Sequence, residues 1–318
     1  MIHSRIAGTG SYLPEKVVSN FDLEKMVDTS DEWIRTRTGI ERRHVAAEGE
    51  TTVDLAEFAA RRALDAAGVA PQDVDFIAFG TTTPDLVFPN CGVLLQARLG
   101  CRNVPAFSVE TACAGFMYAL SIADKYIRCG EAKRALVIGA ETLSRITDWS
   151  DRATAVLFAD GAGAVVLEPG SEPGVLSTHL HADGHYKDLL YCASGVSRGF
   201  GPKLAITMSG NEVFKIAVTK LGQAVDETLA ANGLDRSALD WLVPHQANIR
   251  IIQATARKLD LPMERVIVTV QEHGNTSAAS VPLALDVAVR DGRIKRGELL
   301  LLEAFGGGFT WGSALVRY

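Results

Sequence analysis

Cysteine is sparse: Cys91, Cys101, Cys113, Cys129 and Cys192 are the only five among 318 residues, an odd number with no C-x-x-C pair. Neither a disulfide framework nor a zinc ribbon fits that usage, and a reducing, cytoplasmic setting is expected. Positive charge is also in deficit, with 32 Lys+Arg against 38 Asp+Glu and a net charge of −6. A nucleic-acid binder needs a phosphate-neutralising excess, so that class is excluded and any cationic site must be local. No run reaches the roughly 18 apolar residues that cross a bilayer, and the first residues carry no secretory apolar core, so no membrane partner is expected. What remains is ordinary for a soluble globular protein: 47% hydrophobic and 22% charged residues, with enough chain for about two domains.

The chain repeats itself. Ala63 to Gly80 reads as the end of an amphipathic helix closed by Gly68, a turn, and a buried strand; shifted by 165 residues, Thr228 to His245 reads the same way. Leu64 falls on Leu229, Gly68 on Gly233, Asp75 on Asp240, and the strand-to-helix passage Ser108–Phe116 falls on His273–Val281. Helix and apolar strand alternate in each half, the pattern of a mostly parallel sheet covered by helices. The expected organisation is a duplicated α/β protein with halves 1–170 and 171–318, divided at the Pro/Gly/Glu cluster Glu168–Gly174. From there to Gly210, Gly184, Gly195, Gly199, Gly201 and Pro202 suggest strands and a long surface loop.

Cys113 stands where the strand-like Ala106-Phe-Ser-Val turns into an apolar helix, among the small residues Ala112, Ala114 and Gly115. Such an elbow exposes a nucleophile, and a helix N-terminus favours thiolate; a small buried hydrophobe is the competing reading. His245 ends an apolar strand, where ligands of open α/β sheets collect. Asn275 lies near the mirror of Cys113. If a pseudo-two-fold axis relates the halves, the three meet at one centre; separately, His245 reads as a satisfied strand-end residue and Asn275 as a helix cap. A thiol with two neutral donors and no evident carboxylate suits stabilisation of an enolate or oxyanion, and Gly306-Gly-Gly offers unencumbered backbone N–H groups. A cysteine protease also pairs Cys, His and Asn, but its local signature is absent and a duplicated chain does not suit a fold of unlike halves. Gly8-x-Gly10 lacks the third glycine and following helix of a dinucleotide site. His179, His181 and His185 lack further ligands at metal spacing, so no metal is expected.

Ala112-Cys-Ala-Gly-Phe, Asp160-Gly-Ala-Gly-Ala, Val243-Pro-His-Gln-Ala-Asn, His273-Gly-Asn-Thr-Ser-Ala-Ala-Ser and Ala304-Phe-Gly-Gly-Gly-Phe-Thr-Trp-Gly-Ser-Ala resemble, in order and across essentially the whole chain, beta-ketoacyl-acyl carrier protein synthase III of the thiolase superfamily. The resemblance implies a duplicated thiolase-like fold with two mixed sheets in five αβαβα layers, and a homodimer. It implies condensation of a short acyl-CoA with malonyl-acyl carrier protein to start type II fatty acid synthesis, or, in relatives, use of a longer or aromatic starter. Cys113 would be acylated, His245 and Asn275 would support decarboxylation, and the Gly307 N–H would complete the oxyanion hole. Trp33 and Arg37 would meet the CoA nucleotide with Arg152 on the adenine's other face, Asn211 and Asn248 would line the pantetheine tunnel, and Phe88 would reach across the dimer to cap the acyl pocket. CoA enters as a substrate thioester, and no cofactor is implied. An acidic carrier protein needs a basic patch on this acidic chain, which Lys215, Arg250, Arg257 and Lys258 offer; a solvated helix face is the alternative.

Overall fold

A computed structural model describes residues 2–199 and 204–318; Gly201 and Pro202 lie outside them. Its architecture is the duplicated thiolase-like α/β fold. The first sheet runs in the order His3–Tyr12, Asp160–Gly170, Ala135–Thr142, Phe76–Gly80, Ala106–Val109, its last three strands mutually parallel and the others antiparallel. The second runs Trp241–Pro244, Leu299–Gly306, Thr310–Arg317, Val175–Ala182, with only the first pair parallel. Residues 266–268 stand where the missing fifth strand would be: Leu242 bridges Val266 in parallel and the Ile267 N–H donates to the Leu242 carbonyl at 2.9 Å. The chain crosses from one sheet to the other between Gly170 and Val175. In the stretch that follows, Leu190–Cys192 and Ile206–Met208 pair as a small antiparallel ribbon.

Layering follows from which residues are apolar on both faces. The helices Gly115–Arg128 and Ser280–Arg290 lie between the sheets, and one buried cluster there takes Ile6, Phe116, Leu120 and Val165 from the first half and Val243, Val281, Leu285 and Leu300 from the second. Outside, Thr52–Ala67 and Cys91–Leu99 cover the first sheet while Gly210–Ala231 and Ile249–Lys258 cover the second. Gly8 and Gly10, barren as a nucleotide motif, serve this layer: a Cβ at either would lie within 2.5 Å of the Ala63 or Ala59 carbonyl oxygen of the covering helix.

The duplication extends to single residues. Helices close on left-handed Gly68 (φ 66°) and on Gly233 (φ 63°). Asp75 accepts the N–H groups of Lys133 and Arg134, and its mirror Asp240 accepts that of Leu299. Each central helix follows a short 3₁₀ turn, Ala112–Ala114 or Ser277–Ala279, whose first residue is left-handed although it is not glycine: Ala112 at φ 45°, Ser277 at φ 50°. Such strain clusters at functional sites because the surroundings must over-determine it.

Candidate active site

The first of those strained turns aims Cys113 at the centre of the molecule. A cavity of 360 Å³ is lined by Cys113, His245 and Asn275 and runs past Asn211, Asn248 and Phe214 to Trp33, Arg37 and Arg250. A second cavity of 870 Å³ is lined by Cys113, Ser277 and Gly307, with Leu143, Phe158, Leu190, Leu204 and Ile206 forming an apolar part of its wall. Cys113 therefore stands on the boundary of two spaces. Cys113, His245 and Asn275 thus line one cavity, although Asn275 is mirrored by Glu110 and His245 by Gly80.

Each partner is fixed by backbone. The Asn275 N–H donates to the Leu157 carbonyl and its own carbonyl accepts from Ala159, both at 2.9 Å. Its side-chain Oδ1 accepts the Ser277 N–H at 3.0 Å, which leaves the amide Nδ2 as its donor. It is not the helix cap that the competing reading supposed: the Ser280–Arg290 helix has no side-chain cap. The His245 N–H donates to the Glu303 carbonyl at 2.8 Å, and its ring Nδ1 meets the Ser280 hydroxyl at 2.6 Å. Next to it, buried Gln246 clamps the backbone: Oε1 accepts from Thr269 and Val270, and Nε2 donates to Pro244 and Ile267.

Two electrostatic expectations need correcting. Burial pushes the Cys113 thiol up to about 12, opposed by a hydrogen bond with the Ser277 hydroxyl. The resting group is a thiol, because desolvating a full charge outweighs the partial charge of a helix end. A carboxylate is also near: Glu141, at the end of the apolar strand Ala135–Thr142, receives the hydroxyls of Thr81, Thr82 and Thr83 and the Thr82 N–H, and its field raises the thiol further. Burial lowers His245 to about 3, so its imidazole is neutral. Ser277 and Glu141 went unrecognised in the sequence. Ser277 was legible as the mirror of Ala112, and Glu141 as a lone acid closing an apolar strand.

Backbone also comes close beside the thiol. A Cβ on Gly306 would lie 2.5 Å from the Cys113 nitrogen, so glycine is required for this approach. Among the described residues the Gly307 N–H donates to no backbone or side-chain acceptor, and the Cys113 N–H to none but its own sulfur.

Toward the surface, the helix Asp31–Thr38, capped by Ser30, presents Trp33. The Arg37 and Arg152 guanidinium carbons lie 5.8 and 4.9 Å from its ring centroid. Arg152 thus covers the ring directly, and a base inserted between them requires it to move out, since two stacked contacts span roughly 7 Å. Asn248 caps the helix Ile249–Lys258 through the Ile251 N–H, and Asn211 stands in the first turn of Gly210–Ala231. Arg250, Arg257, Lys258 and Lys215 are exposed on these two helices, with Arg250 over the Phe214 ring at 5.3 Å. Phe88 lines neither cavity and is 81% exposed beside exposed Leu86 and Val87, which do line the second. His179 and His181 share the carboxylate of Glu227, a partner the sequence did not reveal.

Residues 107–184 match the family described as 3-Oxoacyl-[acyl-carrier-protein (ACP)] synthase III, and residues 229–318 match its C-terminal region. A curated relative from Xanthomonas campestris pv. campestris, "Beta-ketoacyl-[acyl-carrier-protein] synthase III", is 66% identical over 100% of this chain and 99% of its own. The crystal structure of 3-oxoacyl-[acyl-carrier-protein] synthase III from Aquifex aeolicus VF5 superposes with a TM-score of 0.95 at 48% identity, covering 99% of this chain and 100% of that one. The priming beta-ketosynthase of the R1128 polyketide pathway has a TM-score of 0.94 at 37% identity, over 99% and 96% of the two chains. Shape is thus common to both pathway types, while identity sides with the fatty-acid type, and the chain belongs to the beta-ketoacyl-[acyl-carrier-protein] synthase III family.

Proposed function

We propose that this condensing enzyme joins a short acyl-CoA to malonyl-acyl carrier protein, releasing CoA and carbon dioxide and giving 3-oxoacyl-acyl carrier protein, the opening step of type II fatty acid synthesis. The observation that carries the residue assignment is the place of Cys113 on the walls of both cavities. The 360 Å³ passage takes the pantetheine arm and the larger space takes the acyl chain. Cys113 Sγ attacks the acyl-CoA carbonyl, its proton leaving on the CoA sulfur, and the N–H groups of Cys113 and Gly307 hold the tetrahedral oxyanion. Malonyl thioester then loses carbon dioxide, and the enolate oxygen is held by the neutral His245 and the Asn275 amide. The enolate carbon attacks the acyl-cysteine carbonyl, and Cys113 leaves as a thiolate that regains a proton from solvent. The thioesters carry their own activation, so no cofactor enters.

CoA docks by its adenine on Trp33 between Arg37 and Arg152, with Asn211 and Asn248 along its arm. The carrier protein docks on Lys215, Arg250, Arg257 and Lys258. The enzyme works as a cytoplasmic homodimer, a reading supported by exposed Leu86 and Val87 on the wall of the second cavity and exposed Phe88 next to them in the chain; Phe88 of one copy closes the pocket of the other.

The test is a panel of acyl-CoAs followed by intact mass, then malonyl-acyl carrier protein with product analysis. Acyl adducts on the protein that vanish in Cys113→Ala, and 3-oxoacyl product from the acylated form, are expected. Adducts that persist in Cys113→Ala, or acylation without condensation, overturn the reading. Because 870 Å³ exceeds what an acetyl group fills, the panel includes longer and aromatic chains.

A further inference from the structure

The mirror relation singles out a pair. His245 and Ser280 lie 165 residues beyond Gly80 and Gly115. In the first half those glycines make a bare contact: a Cβ on Gly80 would sit 2.5 Å from the Gly115 carbonyl carbon. The second half keeps the strand end and the helix start but fills the same junction with an imidazole and a hydroxyl, 2.6 Å apart and both buried. Packing alone is served by the glycines. The polar pair is an addition.

The hydroxyl's bonds decide where the imidazole proton lies. Ser280 Oγ accepts the backbone N–H of Gln246 at 3.3 Å. Gln246 itself is held by four hydrogen bonds, so that donor is fixed in place. The hydroxyl's own hydrogen meets no acceptor other than His245 Nδ1 among the described residues. Nδ1 therefore accepts, and in a neutral ring the remaining nitrogen, Nε2, carries the hydrogen.

We infer that Ser280 is a positioning residue that fixes the tautomer of His245, so that Nε2–H is offered to the cavity shared with Cys113 and Asn275. The inference rests on the donor role given to His245 above. Burial, which keeps the ring neutral, is the second half of the device: the charge is removed by the surroundings and the proton is placed by the serine. Asn275 follows the same plan, its Oδ1 tied to the Ser277 N–H so that Nδ2 is left to donate. Both donors are oriented from the start of one helix, His245 by its first residue Ser280 and Asn275 by Ser277 of the short turn before it.

Ring-¹³C,¹⁵N-histidine labelling of the whole protein, with His245 identified by its loss in His245→Ala, reads the tautomer directly, and the two half-reactions are followed alongside. Wild type and Ser280→Thr are expected to show the Nε2–H form. Ser280→Ala is expected to show a shifted or mixed tautomer, roughly ten-fold slower decarboxylation of malonyl-acyl carrier protein, the size of one lost hydrogen bond, and acylation within about two-fold of wild type. An Nδ1–H form in wild type, or a tautomer unchanged in Ser280→Ala, overturns the role of the serine whatever the activity does. A tautomer that follows Ser280 while decarboxylation stays unchanged upholds the serine's role and removes the donor role from His245. A folded Ser280→Thr that fails to restore the tautomer also overturns the proposal.

Discussion

Gly306→Ala should disable acylation by moving one backbone nitrogen. The added methyl would lie 2.5 Å from the Cys113 nitrogen, 3.1 Å from the Ala112 Cβ and 3.2 Å from the Ala114 nitrogen, where ordinary contact begins at 3.4 Å. About 0.9 Å must be found, and it cannot come from a flexible side chain, because the nearest atom is backbone at the start of a central helix. Overpacking of this kind costs about 1–3 kcal/mol of stability. The larger effect is on geometry: in the proposed reaction the Cys113 N–H is one of two donors to the acyl oxyanion, and a displacement of roughly 1 Å can cost about 10²-fold in rate. Acyl-enzyme formation by intact mass should therefore slow by that factor while iodoacetamide still labels Cys113, since the thiol itself is untouched. Gly184→Ala, where nothing lies within 4 Å, is the matched control. Acylation at the parent rate in a folded Gly306→Ala would refute the close approach as the reason for glycine and the Cys113 N–H as an oxyanion donor.

His245→Ala and Asn275→Ala should each still acylate Cys113 but lose about 10²- to 10³-fold in carbon dioxide release; failure at acylation first would make His245 a base and not a donor. Arg257→Glu, on the same helix as Arg250 but lining neither cavity, should raise KM for malonyl-acyl carrier protein far more than for acyl-CoA, with the loss shrinking at high salt; no change for the carrier-protein substrate would leave the patch a solvated face. Burial holds His245 at about 3 and His273 at about 4 in the fold. Their folded values lie below the ordinary 6.5, so the unfolded chain binds more protons in that window and stability falls as pH drops from 6.5 toward 4, by about 1.4 kcal/mol per pH unit for each group. Thermal melts of His273→Gln should show a shallower acid slope, and an identical slope would contradict the assignment.

The fold was legible because periodicity and repetition survive in single residues: Gly68 and Gly233, Asp75 and Asp240, and the two strand-to-helix passages all hold one offset. The connection between the strands Ala135–Thr142 and Asp160–Gly170 breaks that offset, which is why the position of Arg152 against Trp33 could come only from family resemblance. Cys113, His245 and Asn275 were legible as types at strand ends. What was not legible is how burial acts on them. A helix N-terminus is visible in sequence, but the enclosure that drives the thiol up to about 12 is made by residues distant in the chain, Glu141 among them, and so is the opposing hydrogen bond from Ser277. For the same reason Glu227 was not visible beside His179 and His181: it comes from the covering helix Gly210–Ala231, and only the packed fold brings the two together.

The cluster between the sheets has no side that belongs to one half. The helix Gly115–Arg128 packs against Val175–Ala182 and Thr310–Arg317 of the other half, and Ser280–Arg290 against His3–Tyr12 and Asp160–Gly170 of the first. A chain cut at Glu172, in the connection between the sheets, would thus yield two pieces that each present an open apolar face and aggregate when produced alone. Produced together, they should reassemble into one body, since each piece is the missing wall of the other. Cys113 would then lie on one fragment and His245 and Asn275 on the other, so that recovered decarboxylation counts correctly mated pairs.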